Sequence, residues 1–192
     1  MAKQRYGWNL GRLLFGALHR QLAPDLWLMA SGGARFEADL IWRLEALGWD
    51  VRSGWGLAET SSILTNQRGG REKRIGSEGP PLAGMALRVS EPDAAGVGEL
   101  QCRGASLFQD YRNDPEATRA AFTADGWFRT GDLGFIDDAG RVYITGRAKE
   151  MIVLGGGKNI YPEELEKVYA DCPIFTELAV LEENGALVAL VV

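Results

Sequence analysis

Glu59, Asp132, Arg147 and Lys149 are the charged residues whose surroundings suggest chemistry. They lie in three loops, each following a strand and mixing glycine with polar groups: "WGLAETSS" (55–62), "GWFRTGDLG" (126–134) and "GRAKEMIVLGGGKNIYPEELE" (146–166). A hard divalent cation bridging phosphates takes carboxylate oxygen. A carboxylate offers two acceptor oxygens, and a guanidinium is a fixed positive fork for anionic groups. Plain structural alternatives exist for Asp132, Arg147 and Lys149, and for Trp55 in the first loop. Trp55 can be a core side chain or a flat stacking partner. Asp132 can serve a Gly-Asp turn by bonding its own backbone, and Arg147 and Lys149 can be solvated.

The run Gly155-Gly156-Gly157-Lys158 suggests a phosphate cradle, and spacing tests that idea. A P-loop needs Gly, four residues, then Gly-Lys-Ser/Thr, so that backbone amides wrap phosphates and a hydroxyl reaches Mg²⁺. The residue five before Gly157 is Ile152, the lysine is followed by Asn159, and the next helix starts only at Pro162. The spacing fits a glycine turn between a strand and a helix instead.

Positioning these groups requires a folded scaffold. The 192 residues are 46% apolar and 24% charged, as in a folded soluble protein of one domain, or of one domain and part of another. A net charge of −5 gives no broad attraction to nucleic acid or acidic membranes. Arg68, Arg71, Lys73 and Arg74 form a local basic cluster among glycines and read as a solvated loop. Cys102 and Cys172 have no metal or disulfide spacing and read as reduced thiols of a cytoplasmic protein. His19 is the only histidine, which disfavours His-based triads and multi-His metal sites; its helical apolar context reads as a helix surface. No apolar run reaches membrane-spanning length, and the N-terminus lacks a signal-peptide layout.

Residues 9–22 carry leucines at helical spacing. "LWLMASGGA" reads as a strand into a glycine turn, 36–47 as an amphipathic helix stopped by Gly48, and "WDVRSGWG" as a second strand. Together they predict a βαβ unit with parallel strands. Beyond about residue 75, "GMALRV", "GELQCRG" and "GRVYITGR" are short alternating segments, predicted as antiparallel strands and hairpins. A helix capped by Asp114 with Pro115 at its first position interrupts them. Then come strand "MIVL", a helix from Pro162 to about Ala170, and a hairpin turning at Asn184-Gly185. The last strand runs to the end of the chain, which leaves its sheet to be completed by other parts of a parent protein or a dimer mate.

In order and spacing the motifs resemble the adenylate-forming superfamily of acyl-CoA synthetases, firefly luciferase and peptide-synthetase adenylation domains. "WGLAETSS" is similar to that family's aromatic-Gly-x-Thr-Glu loop, and "GELQCRGASLFQDYRNDPEAT" to its Gly-Glu-Leu…Gly…Tyr…Pro…Thr segment. "GWFRTGDLG" is similar to its ribose-binding loop, and "GRAKEMIV…NIYPEELE" to its hinge. The resemblance runs from about Ser31 onward. It implies an α/β fold: residues 1–146 as the late part of a large adenylation domain, a βαβ layer plus antiparallel strands, and 147–192 as the start of a small α+β lid.

The implied function is an ATP-dependent acyl-CoA ligase that makes acyl-AMP and passes the acyl group to CoA. Segments "SGGA" and "NIYPEELE" resemble bacterial long-chain fatty-acyl members, so a fatty acid is the expected acid. The resemblance assigns adenine to Trp55, with Gly32, Gly33 and Ala34 as the turn beside the base. It assigns Mg²⁺ to Glu59, ribose hydroxyls to Asp132, ribose and phosphate to Arg147, and the domain hinge to Lys149. Gly56 and Thr60 belong to the nucleotide loop, and Gly156 and Gly157 to the loop lining the path of the CoA arm; Lys158 is either solvated or a CoA phosphate contact. Ala58 stands where the family often has a threonine touching the α-phosphate, leaving Thr60 or a neighbour to replace it. The family's phosphate loop would precede residue 1 and its catalytic lysine would follow Val192, so the chain alone is expected to be inactive. Two rival readings are a ligase that hands the acyl group to a carrier protein and a non-catalytic nucleotide-binding module.

Overall fold

The computed structural model describes residues 10–33, 36–153, 159–170, 172–174, 176–183 and 186–192. The chain forms two compact units. One comprises Met1–Leu87, Cys102–Phe128 and Ile136–Tyr143; the other comprises Arg88–Gln101, Arg129–Phe135 and Ile144–Val192.

The first unit opens with short helices α1 (Gly11–Leu14) and α2 (Gly16–Leu22), then β1 (Leu28–Ser31), α3 (Ala38–Leu47) and β2 (Asp50–Ser53). β1 and β2 pair in parallel, Met29 opposite Val51, which is the expected βαβ unit. α3 lays Ile41 against Trp49 and Val51, with Phe36, Leu44 and Leu47 packed around them. It stops at Gly48, whose φ of +116° is a left-handed cap that a Cβ would oppose.

The leading helix departs from its periodicity. It breaks at Phe15, and Leu13 and Leu14 are 80% and 72% exposed. His19, expected on the surface, is 4% exposed. The cause is close packing: Gly11 abuts the backbone of Ala46 to Gly48, where no side chain fits. That approach turns His19 onto the end of α3, where its Nε2–H donates to the Leu47 carbonyl at 2.8 Å and its ring meets Trp49 at 4.7 Å. An orphan helix-end carbonyl is thereby satisfied.

The basic cluster also departs from expectation. Arg68 and Arg74 are exposed, but the Lys73 side chain is 7% exposed and bonds Glu45 and the Val51 carbonyl. Its ammonium satisfies a carboxylate that α3 buries, which local charge patterning cannot reveal.

Strands β3 (Met85–Ser90), β4 (Gly98–Gly104), β5 (Phe128–Ile136) and β6 (Val142–Arg147) stand in that order in one four-stranded sheet. Leu64, Cys102 and Phe128 centre a second core in the first unit, joined by Trp55, Phe108 and Phe122. Burial raises the Cys102 thiol to about 12, so it is a packing residue and not a nucleophile. Helix α4 (Pro115–Ala121) starts as expected: Asp114 accepts from the Ala117 amide at 2.8 Å, and Pro115 opens the first turn.

Between β5 and β6, Asp137 closes the turn. Its carboxylate accepts from the amides of Ala139 and Arg141 and from Arg141 Nε at 2.8 Å. Burial works to raise its pKa, and these hydrogen bonds outweigh it, so the pKa lies below the usual aspartate value. A depressed carboxylate contributes stability above its unfolded pKa of ~4 and loses it as pH falls through the folded value. Asp137→Ala should therefore remove part of the acid-induced fall in thermal midpoint below about pH 4; unchanged acid sensitivity would show the turn contributes nothing to it.

In the second unit, β7 (Ile152–Val153) pairs antiparallel with β8 (Asn159–Ile160). Helix α5 (Pro162–Tyr169) has proline at its first position, as expected. β9 (Leu178–Glu183) and β10 (Ala186–Val191) form an antiparallel hairpin with Val180 opposite Ala189, and Glu166 of α5 accepts from the Val180 amide at 2.8 Å. The expected turn at Asn184-Gly185 and the glycine turn with Lys158 lie outside the described residues.

Candidate active site

Two groupings of candidate residues emerge, one in each unit. In the first, the chain leaves β2 into the loop that carries Trp55. The indole is half-buried against the Leu64, Cys102 and Phe128 cluster, so it is a core residue on that side. At Gly56 an added Cβ would meet the backbone of Ser62 and Ile63 at 2.6 Å, so this glycine lets the loop fold back on itself.

Glu59 lies in the short 3-10 turn Ala58–Thr60. Thr60 is fully buried, and its hydroxyl accepts from the Leu57 amide at 2.9 Å and donates to the Leu57 carbonyl at 3.0 Å. That hydroxyl holds the turn and is not presented outward as a replacement for the contact missing at Ala58. The Glu59 carbonyl accepts from the Phe108 amide at 2.8 Å, and its Oε1 accepts from the Tyr111 hydroxyl at 2.9 Å. The Tyr111 phenol is raised above its ordinary value, first by burial and then by its hydrogen bond to the Glu59 carboxylate and that charge. Among the described residues no lysine or arginine pairs with Glu59, and no cluster of three or more His, Cys, Asp or Glu could cage a metal. A half-buried carboxylate with one oxygen engaged suits Mg²⁺ that takes its remaining ligands from phosphates and water.

In the second unit β5 carries the other grouping. The stretch 126–134 was expected as a loop; instead residues 128–134 of it belong to β5, with Gly131 at φ +72°. Alternation buries Phe128, Thr130 and Asp132. Thr130 donates to the Leu100 carbonyl at 2.6 Å and accepts from the Asp132 amide at 3.1 Å. Asp132 is 4% exposed, yet Arg147, at the end of β6, brings Nε to 3.3 Å from its Oδ1 with a side chain 63% exposed. The Ala148 amide donates to the Gly131 carbonyl at 2.8 Å, tying the segment after β6 to the same point of β5. Lys149 follows in an exposed turn.

Gly32 and Gly33 are exposed after β1, Gly33 at φ +83°, while Ala34, Gly156 and Gly157 lie outside the described residues. Sequence reasoning left Tyr111 and Thr130 without a role. Tyr111 meets Glu59 from 52 positions away, a pairing that no local signal encodes.

The two groupings are thus a buried carboxylate beside an exposed guanidinium, and a carboxylate in a tight turn held by a phenol. The chain belongs to the AMP-binding enzyme family, whose model matches residues 8–112. A long-chain-fatty-acid–CoA ligase of Mycobacterium bovis, FadD15, is 37% identical over 183 residues, covering 93% of this chain and 29% of that protein. FadD13, a long-chain-fatty-acid–CoA ligase of Mycobacterium tuberculosis, is 37% identical over 181 residues, covering 88% of this chain and 35% of its own length. Among solved structures, ATP-bound MatB of Rhodopseudomonas palustris superposes with a TM-score of 0.73 at 30% identity, covering 93% of this chain and 39% of its own. O-succinylbenzoate CoA synthetase of Bacillus subtilis, with its acyl-adenylate intermediate, gives 0.76 at 27% identity over 94% of this chain and 40% of its own. The chain thus spans about a third of the length of the curated relatives it matches. Among the described residues no helix is long and apolar enough to cross a membrane.

Proposed function

We propose that the chain is the nucleotide-binding part of an ATP-dependent acyl-CoA ligase of the cytoplasm acting on a fatty acid. The observation that carries the reading is the pair Asp132–Arg147, a buried carboxylate on β5 with an exposed cation 3.3 Å from it. Two carboxylate oxygens fixed in a strand can accept from the two hydroxyls of a ribose, and the guanidinium can answer the ribose and the phosphate beside it. Trp55 offers the face of its ring to adenine, and Gly32, Gly33 and Ala34 let backbone approach the base.

Glu59 would hold Mg²⁺ together with nucleotide phosphates; the ion supplies neutralisation of phosphate charge when bound. In the first half-reaction an oxygen of the acid's carboxylate attacks the α-phosphorus, the bond to the β-phosphate oxygen breaks, and pyrophosphate leaves. In the second, the CoA sulfur attacks the acyl carbonyl and AMP departs. This chain's contribution to both is positioning. Lys149, exposed in the turn after β6, is the hinge: residues 1–146 belong to the large domain and 147–192 begin the lid, whose Gly156 and Gly157 border the path of the CoA arm.

The test is calorimetric titration of the full chain with AMP. Saturable one-site binding is expected, and no binding up to millimolar AMP overturns the reading. On the full-length parent, CoA-dependent release of AMP is expected; acyl transfer only to a carrier protein would replace CoA as acceptor, and nucleotide binding without adenylate formation would favour a nucleotide-binding module.

A further inference from the structure

We propose that Tyr111 is a positioning residue that presents Glu59 to a divalent cation without neutralising it; this rests on the assignment of Glu59 as the Mg²⁺ ligand. Glutamate has three rotatable bonds, and in a turn of three residues nothing local fixes its carboxylate. Here the fixing is done at both ends. The backbone is tied by the Phe108 amide, and the carboxylate by the Tyr111 hydroxyl on Oε1.

Tyr111 is itself immobilised. Its amide donates to Thr118 Oγ1 at 2.9 Å, and that hydroxyl donates to the Asp114 carbonyl at 2.8 Å, so the first turn of α4 anchors it. Its ring lies 4.7 Å from that of Phe108, the residue whose amide grips Glu59. One rigid corner, Phe108 to Thr118, therefore holds the glutamate by main chain and side chain together.

The choice of donor is the chemical argument. A lysine or arginine would also fix the carboxylate, but would cancel its charge and repel an arriving cation. A phenol donates one hydrogen bond, remains neutral, and leaves the carboxylate's full negative charge. Oε2 has no hydrogen-bond or ion-pair partner among the described residues.

The experiment compares wild type, Tyr111→Phe, Glu59→Gln and the double variant, each as the full chain, by calorimetry with Mg·ATP and with AMP in EDTA. Tyr111→Phe should weaken Mg·ATP about tenfold, the loss of one hydrogen bond to a charged group, and change metal-free AMP by less than about twofold. The double variant should bind Mg·ATP no more weakly than Glu59→Gln alone. Metal-free AMP binding doubles as the check that Tyr111→Phe is folded. Equal weakening of both ligands overturns the proposal, because a merely structural role does that. So does unchanged Mg·ATP affinity in Tyr111→Phe while Glu59→Gln is impaired, which leaves the Glu59 assignment standing. If Glu59→Gln binds Mg·ATP like wild type, or wild type takes up none, the underlying assignment fails and Tyr111 falls with it.

Discussion

Asp132→Ala is expected to weaken AMP binding by about 100-fold, the loss of two hydrogen bonds to a charged group at ~1.4 kcal/mol each. The fold should survive. Arg147, its partner at 3.3 Å, is 63% exposed and can return to water at little cost. Thr130 keeps its bond to the Leu100 carbonyl, so β5 stays in place. Arg147→Ala should weaken AMP much less, because an exposed cation contributes attraction that water and salt screen. AMP affinity within about twofold of wild type for Asp132→Ala, measured by the same titration, would remove the ribose from this residue. Asp132→Asn separates charge from geometry: it keeps one acceptor, so an intermediate loss is the expected result.

What could be read from sequence is what short spacing encodes. The βαβ unit followed from helical and strand periods, and Gly48, Asp114 with Pro115, and Pro162 marked helix ends because caps act within one turn of their own residue. The family motifs were legible for the same reason, being short segments of fixed spacing. Contacts between distant positions were not. His19 sits in a leucine-rich helical pattern, yet it is buried because Gly11 admits the backbone after α3. The stretch 126–134 has the glycines and polar residues of a loop, yet from Phe128 onward the alternation of Phe128, Thr130 and Asp132 makes it strand. Thr60 looked available to a nucleotide, but its hydroxyl closes on Leu57, within the turn that displays Glu59. In each case a local tendency yielded to a partner supplied by packing.

Lys73→Met should be strongly destabilising. The Lys73 ammonium bonds the Glu45 carboxylate and the Val51 carbonyl and lies 3.6 Å from Asp50, with Lys73 7% and Glu45 3% exposed. Asp50 keeps a second cation, Arg52 at 2.8 Å, so its loss is softened. Removing the ammonium takes from the Glu45 carboxylate its charged partner at a site that water does not reach, at up to ~3–5 kcal/mol. For a chain of this size that is a fall of roughly 10 °C in the unfolding midpoint. The double variant Lys73→Met/Glu45→Leu should recover most of that loss, because apolar groups that fill the same volume replace a buried pair at little or no cost. Salt should leave the wild-type midpoint nearly unchanged, since a buried pair is barely screened. If Lys73→Met instead unfolds within about 1 kcal/mol of wild type, as loss of a surface pair does, then Lys73 is solvated in solution and segment 68–74 behaves as the charge pattern alone suggests.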